Sequence, residues 1–555
     1  MTRQSRNLIF ALAALAAPAF LGSYAWAYNE TEVARNLTTF NDLYKELITH
    51  YVDSINAEKS ITTAINAMLD DVDPYTEYFP AKEQEDFQVV STGEYGGVGS
   101  YITERDGYVY FSEPYQGSPA AKNGVRAGDK IIMIDNDSTK GWSNEKVSAA
   151  LKGLPNTNVR IVVERPYVKD SIITFNITRE KIEINPVAYY GVERGNIGYI
   201  MLTTFNEKAA REVKKAVLEL LADQRVKGLV LDLRGNGGGL IEQAVQIADF
   251  FVPKGVTVVE TKGKVPEQNR AYKTTQEPIA PKIPIAVLTD GGTASASEIV
   301  AGALQDLDRG VIIGGRSYGK GLVQTTRPLP FDAMLKVTVA KYYIPSGRLI
   351  QAIDYSKRAS DGSVERIPDS LTHVFTTAHG RQVRDGGGIT PDIKVKFPSV
   401  NRLTYNILLG HWDFDFATKF QSEHNSIGSA ESFVVTDSIY NDFKRFIDPE
   451  KFAYDKVCEK QVKNLREIAE AEGYMTDSVK AQLDVLEGML RHDLYRDLDF
   501  NRKEISSLIA TEIQKRYHYQ RGATIESLKD DECLDKAAEL FSDLTKYHAI
   551  LSPKK

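Results

Sequence analysis

Two serines, Ser295 and Ser297, are the first candidates for nucleophilic chemistry in this sequence. They lie within residues 289–304, TDGGTASASEIVAGAL, where a turn of small residues leads into an apolar helix. A serine hydroxyl attacks a carbonyl only when a neighbouring base takes its proton. A serine at a helix start can instead cap the free backbone N–H groups of the first turn. The residues alone leave both serines open as nucleophile or cap.

Histidine, the usual base for a serine nucleophile, is poorly placed in this chain. Of the eight histidines, only His373 and His379 lie near the region of alternating strands and helices, in its late, loop-like part. Lys320 is the alternative base, because it stands between two glycines at the start of an apolar strand. A lysine acts as a base only when neutral, so burial must bring its pKa well below the ordinary value of about 10.4. A Ser–Lys dyad is therefore a physically sound alternative to a Ser–His–Asp triad.

The segment around Ser317 matches two other motifs. Residues 315–319, GRSYG, have the spacing of a nucleophile elbow, and residues 314–320 resemble a phosphate-binding loop. Both motifs require a helix directly after the turn, whereas KGLVQTTRPLP is typical of a strand. Neither motif is favoured, although a small-ester hydrolase acting through Ser317 stays as an alternative.

The whole chain of 555 residues predicts several domains. A hydrophobic fraction of 42%, a charged fraction of 26% and a net charge of −7 are typical of a soluble globular protein and argue against nucleic-acid binding. We predict five regions from changes in pattern: a leader at 1–27, a helical region at 28–85, a module of short strands at 86–167, an α/β core at 168–400 and a helical region at 401–555.

Within the α/β core, uninterrupted apolar strands alternate with amphipathic helices. This pattern predicts a mainly parallel sheet that is covered on both faces. Catalytic groups gather at the carboxyl ends of the strands in such sheets. The segments LRGNGGG and TDGGTASAS each follow a strand end, so both are candidates for the site.

The first 27 residues predict export. Arg3 and Arg6, an apolar stretch and the sequence Ala25-Trp26-Ala27 form the three parts of a signal peptide. An uncleaved membrane anchor is the alternative, so we expect a periplasmic protein that is membrane-anchored if the signal stays attached. The sequence contains no clustered metal-ligand spacing, and neither a metal nor another cofactor is expected. Whether the two cysteines, Cys458 and Cys533, form a disulfide stays open.

The two segments GTASASEIVAGALQD and GRSYGKGLVQ resemble the C-terminal processing peptidases, or tail-specific proteases, of serine peptidase family S41. DLRGNGGG and the glycine-rich module before it fit the same family, and the resemblance covers residues 35–400. It implies a multidomain α+β fold, with a PDZ module inserted before an α/β (ClpP/crotonase-like) peptidase core and helical regions at both ends. The implied activity is that of an exported serine endopeptidase that binds protein C-terminal tails and cleaves them through an acyl-enzyme.

The resemblance also assigns roles to particular residues. The nucleophile is Ser295, the base is Lys320, and Gln324 orients that lysine. Residues four apart on a strand share a face, which would let Lys320 and Gln324 reach one pocket. Ser297 is then left as a helix cap or a supporting hydroxyl.

Acyl transfer needs backbone N–H donors for the oxyanion. Ala296, at the helix start, supplies one candidate N–H group, because the first amides of a helix are unpaired. The resemblance places the second donor in the loop GNGGG, and the choice between Gly237 and Gly238 stays open.

A PDZ module captures a C-terminal carboxylate with backbone N–H groups and adds the peptide as a strand. Val147 and Leu151 of a short helix would form the second wall of the groove. Apolar walls favour protein substrates with apolar tails. Whether the module delivers the tail or gates the site, and whether an adaptor protein takes part, stays open. The candidate loop and strand are Gly97, Val98, Gly99, Ser100, Tyr101 and Ile102.

A rival interpretation is a catalytically inactive exported PDZ scaffold that binds protein tails. It requires the loss of Ser295 or Lys320, and both are present. Residues 401–555 have no counterpart in the resemblance, so homo-oligomerisation or substrate handling through them competes with a purely stabilising role. We also expect Arg348 and Asp392 to be structural ion partners.

Overall fold

The computed structural model describes residues 31–81, 89, 91–358, 362–397 and 399–552. The predicted signal peptide at 1–27 lies outside the described residues. Across the described ranges, no helix combines the length and the apolar character that crossing a membrane requires.

The N-terminal region is helical, as predicted, but it ends in a strand. Helices α1 (31–50) and α2 (Ala57–Asp70) are followed by β1 (Glu77–Phe79). The Asn56 side chain caps α2 by accepting a hydrogen bond from the Lys59 amide. Strand β1 pairs antiparallel with residues 334–336, which lie on a strand of the α/β core, so this region contacts the core directly.

The next unit is a stranded module, residues 94–183, whose main sheet has the order β3-β4-β5-β7-β8. Strand β6 pairs with β5, and β2 pairs with β9. Strands β7 and β8 pair along their whole length across the predicted boundary at residue 167. The elements are β2 (Glu94–Gly97), β3 (Ser100–Arg105), β4 (Tyr108–Pro114), α3 (Pro119–Lys122), β5 (Lys130–Ile134), β6 (Asp137–Ser138), α4 (Asn144–Leu151), β7 (Asn158–Glu164), β8 (Ile172–Thr178) and β9 (Glu180–Glu183).

The α/β core contains the predicted mainly parallel sheet, in the order β10-β11-β12-β15-β16-β21. Only β10 runs antiparallel to its neighbour in this sheet. Strands β12 and β15 are buried at every residue, which explains their uninterrupted apolar sequences. The elements of this layer are β10 (Val187–Glu193), β11 (Ile197–Leu202), α5 (Ala209–Ala222), β12 (Gly228–Asp232), α6 (Ile241–Ala248), β15 (Ile285–Thr289), α7 (Ala296–Asp306), β16 (Val311–Gly314) and β21 (Ile393–Lys394).

A second, antiparallel sheet packs beside the first and was not predicted. Its order is β1-β18-β13-β14, and β17 pairs with the other edge of β18. It carries the turn that precedes β17, and Lys320 lies in that turn. A separate hairpin, β19–β20, follows in the chain. The elements are β13 (Thr257–Gly263), β14 (Arg270–Lys273), β17 (Leu322–Pro328), β18 (Met334–Tyr343), β19 (Val374–Thr376) and β20 (Gln382–Arg384).

The two faces of the central sheet are covered by different parts of the chain. Helices α5, α6 and α7 pack on one face and form a continuous apolar cluster with it. The opposite face packs against apolar residues between 525 and 551, near the C-terminal end. Part of the helical C-terminal region therefore belongs to the core, because a parallel sheet must bury both of its faces.

The C-terminal helices (residues 402–551) contact both other units. Arg105 of β3 donates two hydrogen bonds to Asp415, at 2.9 and 3.0 Å, and Arg234, after β12, forms an ion pair with Asp531 at 2.6 Å. Among the described residues both cysteines are free thiols. The helices are α8 (Arg402–Leu409), α9 (Trp412–Glu423), α10 (Asp437–Phe446), α11 (Val457–Ala471), α12 (Asp477–Met489), α13 (Leu494–Phe500), α14 (Arg502–Leu528), α15 (Glu532–Ser542) and α16 (Leu544–Leu551).

Candidate active site

Ser295 lies where the chain turns from β15 into α7, in a strained conformation. Its φ is 57° and its ψ is −117°, a region that side-chain-bearing residues rarely occupy. Ala296 is the first residue of the helix, and its N–H group has no hydrogen-bond partner among the residues described. The turn therefore presents a half-buried serine next to a free, electropositive helix amide.

Ser297 is engaged in the structure of the neighbouring loop. Its hydroxyl is fully buried and donates a hydrogen bond to the carbonyl oxygen of Asn236 at 2.9 Å. The Ala294 amide donates to the same carbonyl at 3.0 Å. Ser297 therefore joins α7 to the loop GNGGG.

Glu298 connects the turn of Ser295 to the turn of Lys320. Its buried carboxylate accepts hydrogen bonds from the backbone amides of Ser295 (2.9 Å), Gly319 (2.7 Å) and Lys320 (2.8 Å). A fourth hydrogen bond comes from the hydroxyl of Ser317. Burial raises the pKa of Glu298, while these hydrogen bonds act in the opposite direction. One side chain thus fixes the two turns relative to each other.

Lys320 is half-buried, and its amine lies against an aromatic ring. Nζ is 4.2 Å from the centroid of the Tyr75 ring, and no hydrogen bond joins it to the Ser295 hydroxyl within the described part of the chain. Burial lowers the pKa of Lys320 to about 8, and the positive charge of Lys336 adds to this effect. At this pKa about a tenth of the amine is neutral at pH 7 and more of it at higher pH, and the neutral amine is the form that a general base requires.

Gln324 does not follow the predicted strand geometry. Lys320 precedes β17, and a register shift between Val323 and Gln324 interrupts the pairing with β18. The expectation that the two residues share a strand face is therefore wrong, because a bulge changes the alternation of side chains. The Gln324 amide instead donates a hydrogen bond to the Thr338 hydroxyl at 3.0 Å.

The loop GNGGG approaches Ser295 closely at Gly238. This residue has a φ of 99°, and a Cβ atom there would lie 2.8 Å from both the Ser295 Cβ and the Ala296 nitrogen. The N–H group of Gly238 donates to the Asn236 side chain at 2.9 Å. The N–H group of Gly237 has no partner among the described residues, and the space around that residue is open. Gly237 and Ala296 thus each have a backbone amide without a hydrogen-bond partner among the described residues, in the loop and the helix start that approach each other at Gly238.

The alternative catalytic residues have structural partners. Ser317 is buried, donates to Glu298 and accepts a hydrogen bond from the Ile389 amide at 2.6 Å. No helix follows it, since β17 begins at Leu322. The two nearby histidines contact other carboxylates, Asp385 and Asp308.

The expected pairing of Arg348 with Asp392 is wrong. Arg348 binds Asp306 at 2.8 Å, and Asp392 lies 3.1 Å from Arg381. Both charges belong to the scaffold at the end of α7.

The glycine loop of the stranded module has free amides beside an edge strand. The carbonyl of Val98 accepts from the Ala120 amide at 2.8 Å, and that of Gly99 accepts from the Tyr115 amide at 3.0 Å. The N–H groups of Val98 and Gly99 have no partner in the described ranges. The following strand, β3, is an edge of its sheet and can pair with an added peptide.

The side chains around this loop differ in exposure. Gly97 ends β2, and the Ser100 hydroxyl donates to the Tyr101 carbonyl at 2.7 Å. Tyr101 is exposed and meets the Tyr115 ring edge-on, whereas Ile102 packs against the core of the module. The candidate strand therefore has its backbone edge and one aromatic ring accessible.

Val147 and Leu151 do not form an open wall of a groove. They are 0% and 5% exposed and pack with Val98 in the core of the module. The predicted helix is present, but these two positions face inward because a module of this size must bury its large apolar side chains to form a core.

Comparisons with known proteins match three regions of this chain to family models. A family model described as peptidase family S41 matches residues 196–357, a PDZ domain model matches residues 110–165, and a model for the C-terminal helical domain of a probable PDZ-protease matches residues 403–541. A carboxy-terminal-processing protease from Bartonella bacilliformis is 34% identical over 413 residues, which cover 74% of this chain and 86% of that protein.

Two further matches cover a smaller share of this chain. A probable CtpA-like serine protease from Staphylococcus aureus (strain MRSA252) is 34% identical over 347 residues, covering 62% of this chain and 68% of that protein. The solved structure of a photosystem II D1 C-terminal processing protease is 30% identical, covers 63% of this chain and 85% of that chain, and has a TM-score of 0.35. On the extent of the Bartonella match, this chain belongs to the carboxy-terminal-processing proteases of peptidase family S41 and is a serine-type peptidase with a PDZ domain.

Proposed function

We propose that this chain is an exported endopeptidase that binds the C-terminal tails of proteins and cleaves them with a Ser295–Lys320 dyad. The observation that carries the proposal is the buried carboxylate of Glu298, which holds the amides of Ser295 and Lys320 at 2.9 and 2.8 Å. A scaffold that fixes these two turns to one another serves a reaction in which the two side chains act together.

The reaction begins when the neutral Lys320 amine takes the proton of the Ser295 hydroxyl. To do so, Nζ turns from the Tyr75 ring towards Ser295. The Ser295 oxygen forms a bond to the scissile carbonyl carbon, and the carbonyl electron pair moves to the oxygen. The free amides of Ala296 and Gly237 donate hydrogen bonds to this oxyanion.

The second half of the reaction releases both products. The tetrahedral intermediate collapses, the C–N bond breaks, and the Lys320 ammonium gives its proton to the leaving amine. The acyl group is then an ester of Ser295. Lys320 deprotonates a water molecule, which attacks the ester, and the bond to Ser295 breaks as its oxygen regains a proton.

Acid-quench mass spectrometry tests the acyl-enzyme directly. We expect a peptide substrate with an apolar tail to add the mass of its N-terminal fragment to the enzyme, and the adduct to map to Ser295. Ser297→Ala should retain the adduct, because that hydroxyl holds the loop and takes no acyl group, whereas Ser295→Ala should have none. An adduct on Ser317 would instead support the ester-hydrolase alternative.

The amides of Val98 and Gly99, which have no partner among the described residues, support the proposal that the PDZ domain captures the tail. We expect a peptide with an amidated C-terminus to show a KM at least about tenfold higher than the free acid, because charge-assisted hydrogen bonds contribute about 1.5–3 kcal/mol. The kcat should change less than KM, since the carboxylate binds away from Ser295. Equal KM values for the two peptides would contradict tail capture.

Export is supported by the leader sequence at 1–27 alone. We expect the mature chain in the periplasm, and cell fractionation combined with N-terminal sequencing distinguishes a cleaved signal from a retained anchor. Oligomerisation through the C-terminal helices and the involvement of an adaptor stay predictions.

A further inference from the structure

The ring of Tyr75 covers the amine of Lys320, although Tyr75 belongs to the N-terminal region. The distance from Nζ to the ring centroid is 4.2 Å. The Tyr75 hydroxyl lies 3.4 Å from that of Tyr318 and 3.2 Å from that of Tyr355. The rings of Tyr75 and Tyr355 also meet edge-on, with centroids 5.9 Å apart. Tyr75 therefore has contacts that fix its ring in this place.

The backbone around Tyr75 is anchored to the same sheet that carries Lys320. A carboxylate oxygen of Asp73 accepts hydrogen bonds from the amides of Tyr75 and Thr76, both at 2.8 Å. The Thr76 hydroxyl accepts a hydrogen bond from the Thr338 amide of β18 at 3.2 Å. Strand β1 begins at the next residue and pairs with β18. These hydrogen bonds fix the backbone at residues 75 and 76, and the fixed backbone keeps the ring over Lys320.

We propose that Tyr75 is a positioning residue for the Lys320 base, and that its ring shields the amine from water so that the neutral form is available to Ser295. This inference rests on the proposed Ser–Lys dyad. The ring acts through Lys320 and does not itself exchange a proton.

Two effects of the ring oppose each other. An aromatic face attracts an ammonium ion, which favours the charged form. The same ring displaces water, and the hydration of an ammonium ion stabilises it more than one aromatic face does. The balance therefore favours the neutral amine. The lowered pKa of Lys320, for which burial is the largest cause, agrees with this balance.

The other charges that face Lys320 come from three elements. Lys336 lies on β18 and forms an ion pair with Glu77 of β1, Asp73 precedes β1, and Glu298 lies on α7. The hydroxyls of Tyr318 and Tyr355 contact Tyr75. A substitution at Tyr75 leaves all of these charges in place, so a change in the titration of Lys320 reports the entry of water.

The pH dependence of kcat/KM for an apolar-tailed peptide tests the proposal in the full chain. We expect Tyr75→Phe and Tyr75→Leu to keep the acid limb of the wild type, because both retain an apolar cover. Tyr75→Ala should move that limb to higher pH by at least about one pH unit. On the acid limb, its kcat/KM should then be about tenfold lower than that of the wild type at the same pH. Much of this loss should be recovered at alkaline pH. Tyr474→Ala, which removes a tyrosine that is 68% exposed, is the matched control and should keep the wild-type limb.

The outcomes distinguish a failure of the shielding role of Tyr75 from a failure of the proposed Ser295–Lys320 dyad. An unshifted acid limb in Tyr75→Ala, even with lower activity at every pH, would overturn the shielding role. A shift in Tyr75→Leu as large as that in Tyr75→Ala would also overturn it. If Tyr75→Ala lacks the wild-type thermal transition, Tyr75→Gln replaces it, because a polar side chain beside the amine should produce the same shift. Full activity in Lys320→Ala would instead overturn the dyad itself.

Discussion

Lys320→Ala is expected to lower kcat/KM by about 10⁴-fold, and Ser295→Ala by a similar factor. The reason is that the serine hydroxyl is a weak nucleophile unless the amine takes its proton. Because the two side chains act as a unit, the double variant should lose little more than either single variant. Steady-state hydrolysis of an apolar-tailed peptide measures all three.

Lys320→Arg should be as inactive as Lys320→Ala, because a guanidinium group does not lose its proton in proteins. The wild-type enzyme should show the titration of the amine. Since the neutral form is the base and its pKa is lowered to about 8, kcat/KM should fall with decreasing pH below about 8 and level off above it.

Lys336→Ala is the control for this pH dependence. The positive charge of Lys336 lowers the pKa of Lys320. Removal of that charge should therefore move the acid limb of kcat/KM to higher pH and leave the value of the alkaline plateau unchanged. A pH-independent rate across this range, or activity that survives Lys320→Ala, would contradict the dyad.

Glu298→Gln is expected to lower kcat by about 10²-fold, with a smaller effect on KM. One carboxylate oxygen accepts from the amides of Ser295 and Lys320, and the other accepts from the Gly319 amide and the Ser317 hydroxyl. The NH2 group of glutamine would replace one of these oxygens and direct its N–H donors at two groups that are themselves donors. A displacement of about 1 Å between nucleophile and base is enough for a loss of this size. Each buried donor left unpaired should also reduce stability by about 1–3 kcal/mol.

Glu512→Gln is the matched control, because Glu512 is also a buried carboxylate and pairs with Lys515 and Arg516 in the C-terminal helices. It should lower the unfolding midpoint in urea without changing kcat. A Glu298→Gln enzyme with the wild-type kcat would show that the two turns keep their geometry without this carboxylate.

The central sheet could be predicted because each of its strands has an apolar pattern within a short stretch of sequence. Strands such as β12 and β15 are buried throughout, so their sequences are continuously apolar and their type is clear. The meeting of the loop at Gly238 with the turn at Ser295 follows from the common edge of parallel strands. Glu298 also had a sequence signal that was missed, since S-x-x-E at a helix start is the pattern of a capping box.

The remaining parts of the site depend on contacts between distant segments. Nothing near Tyr75 in the sequence indicates that its ring covers Lys320, because β1 reaches the site only by pairing with β18. The bulge before Gln324 has no sequence signal, and the inward orientation of Val147 and Leu151 depends on the packing of the whole PDZ domain. Periodicity identifies the elements, whereas tertiary packing decides which side chains meet.

The closure of the central sheet by its most distant helices has a consequence for biosynthesis. A ribosome completes strands β11 to β16 long before it reaches residues 525–551. One apolar face of the central sheet therefore stays uncovered in the growing polypeptide until those residues are made. We expect the peptidase core to mature only after the final helices emerge. Late maturation of this kind would keep an unfinished protease from damaging the proteins around it.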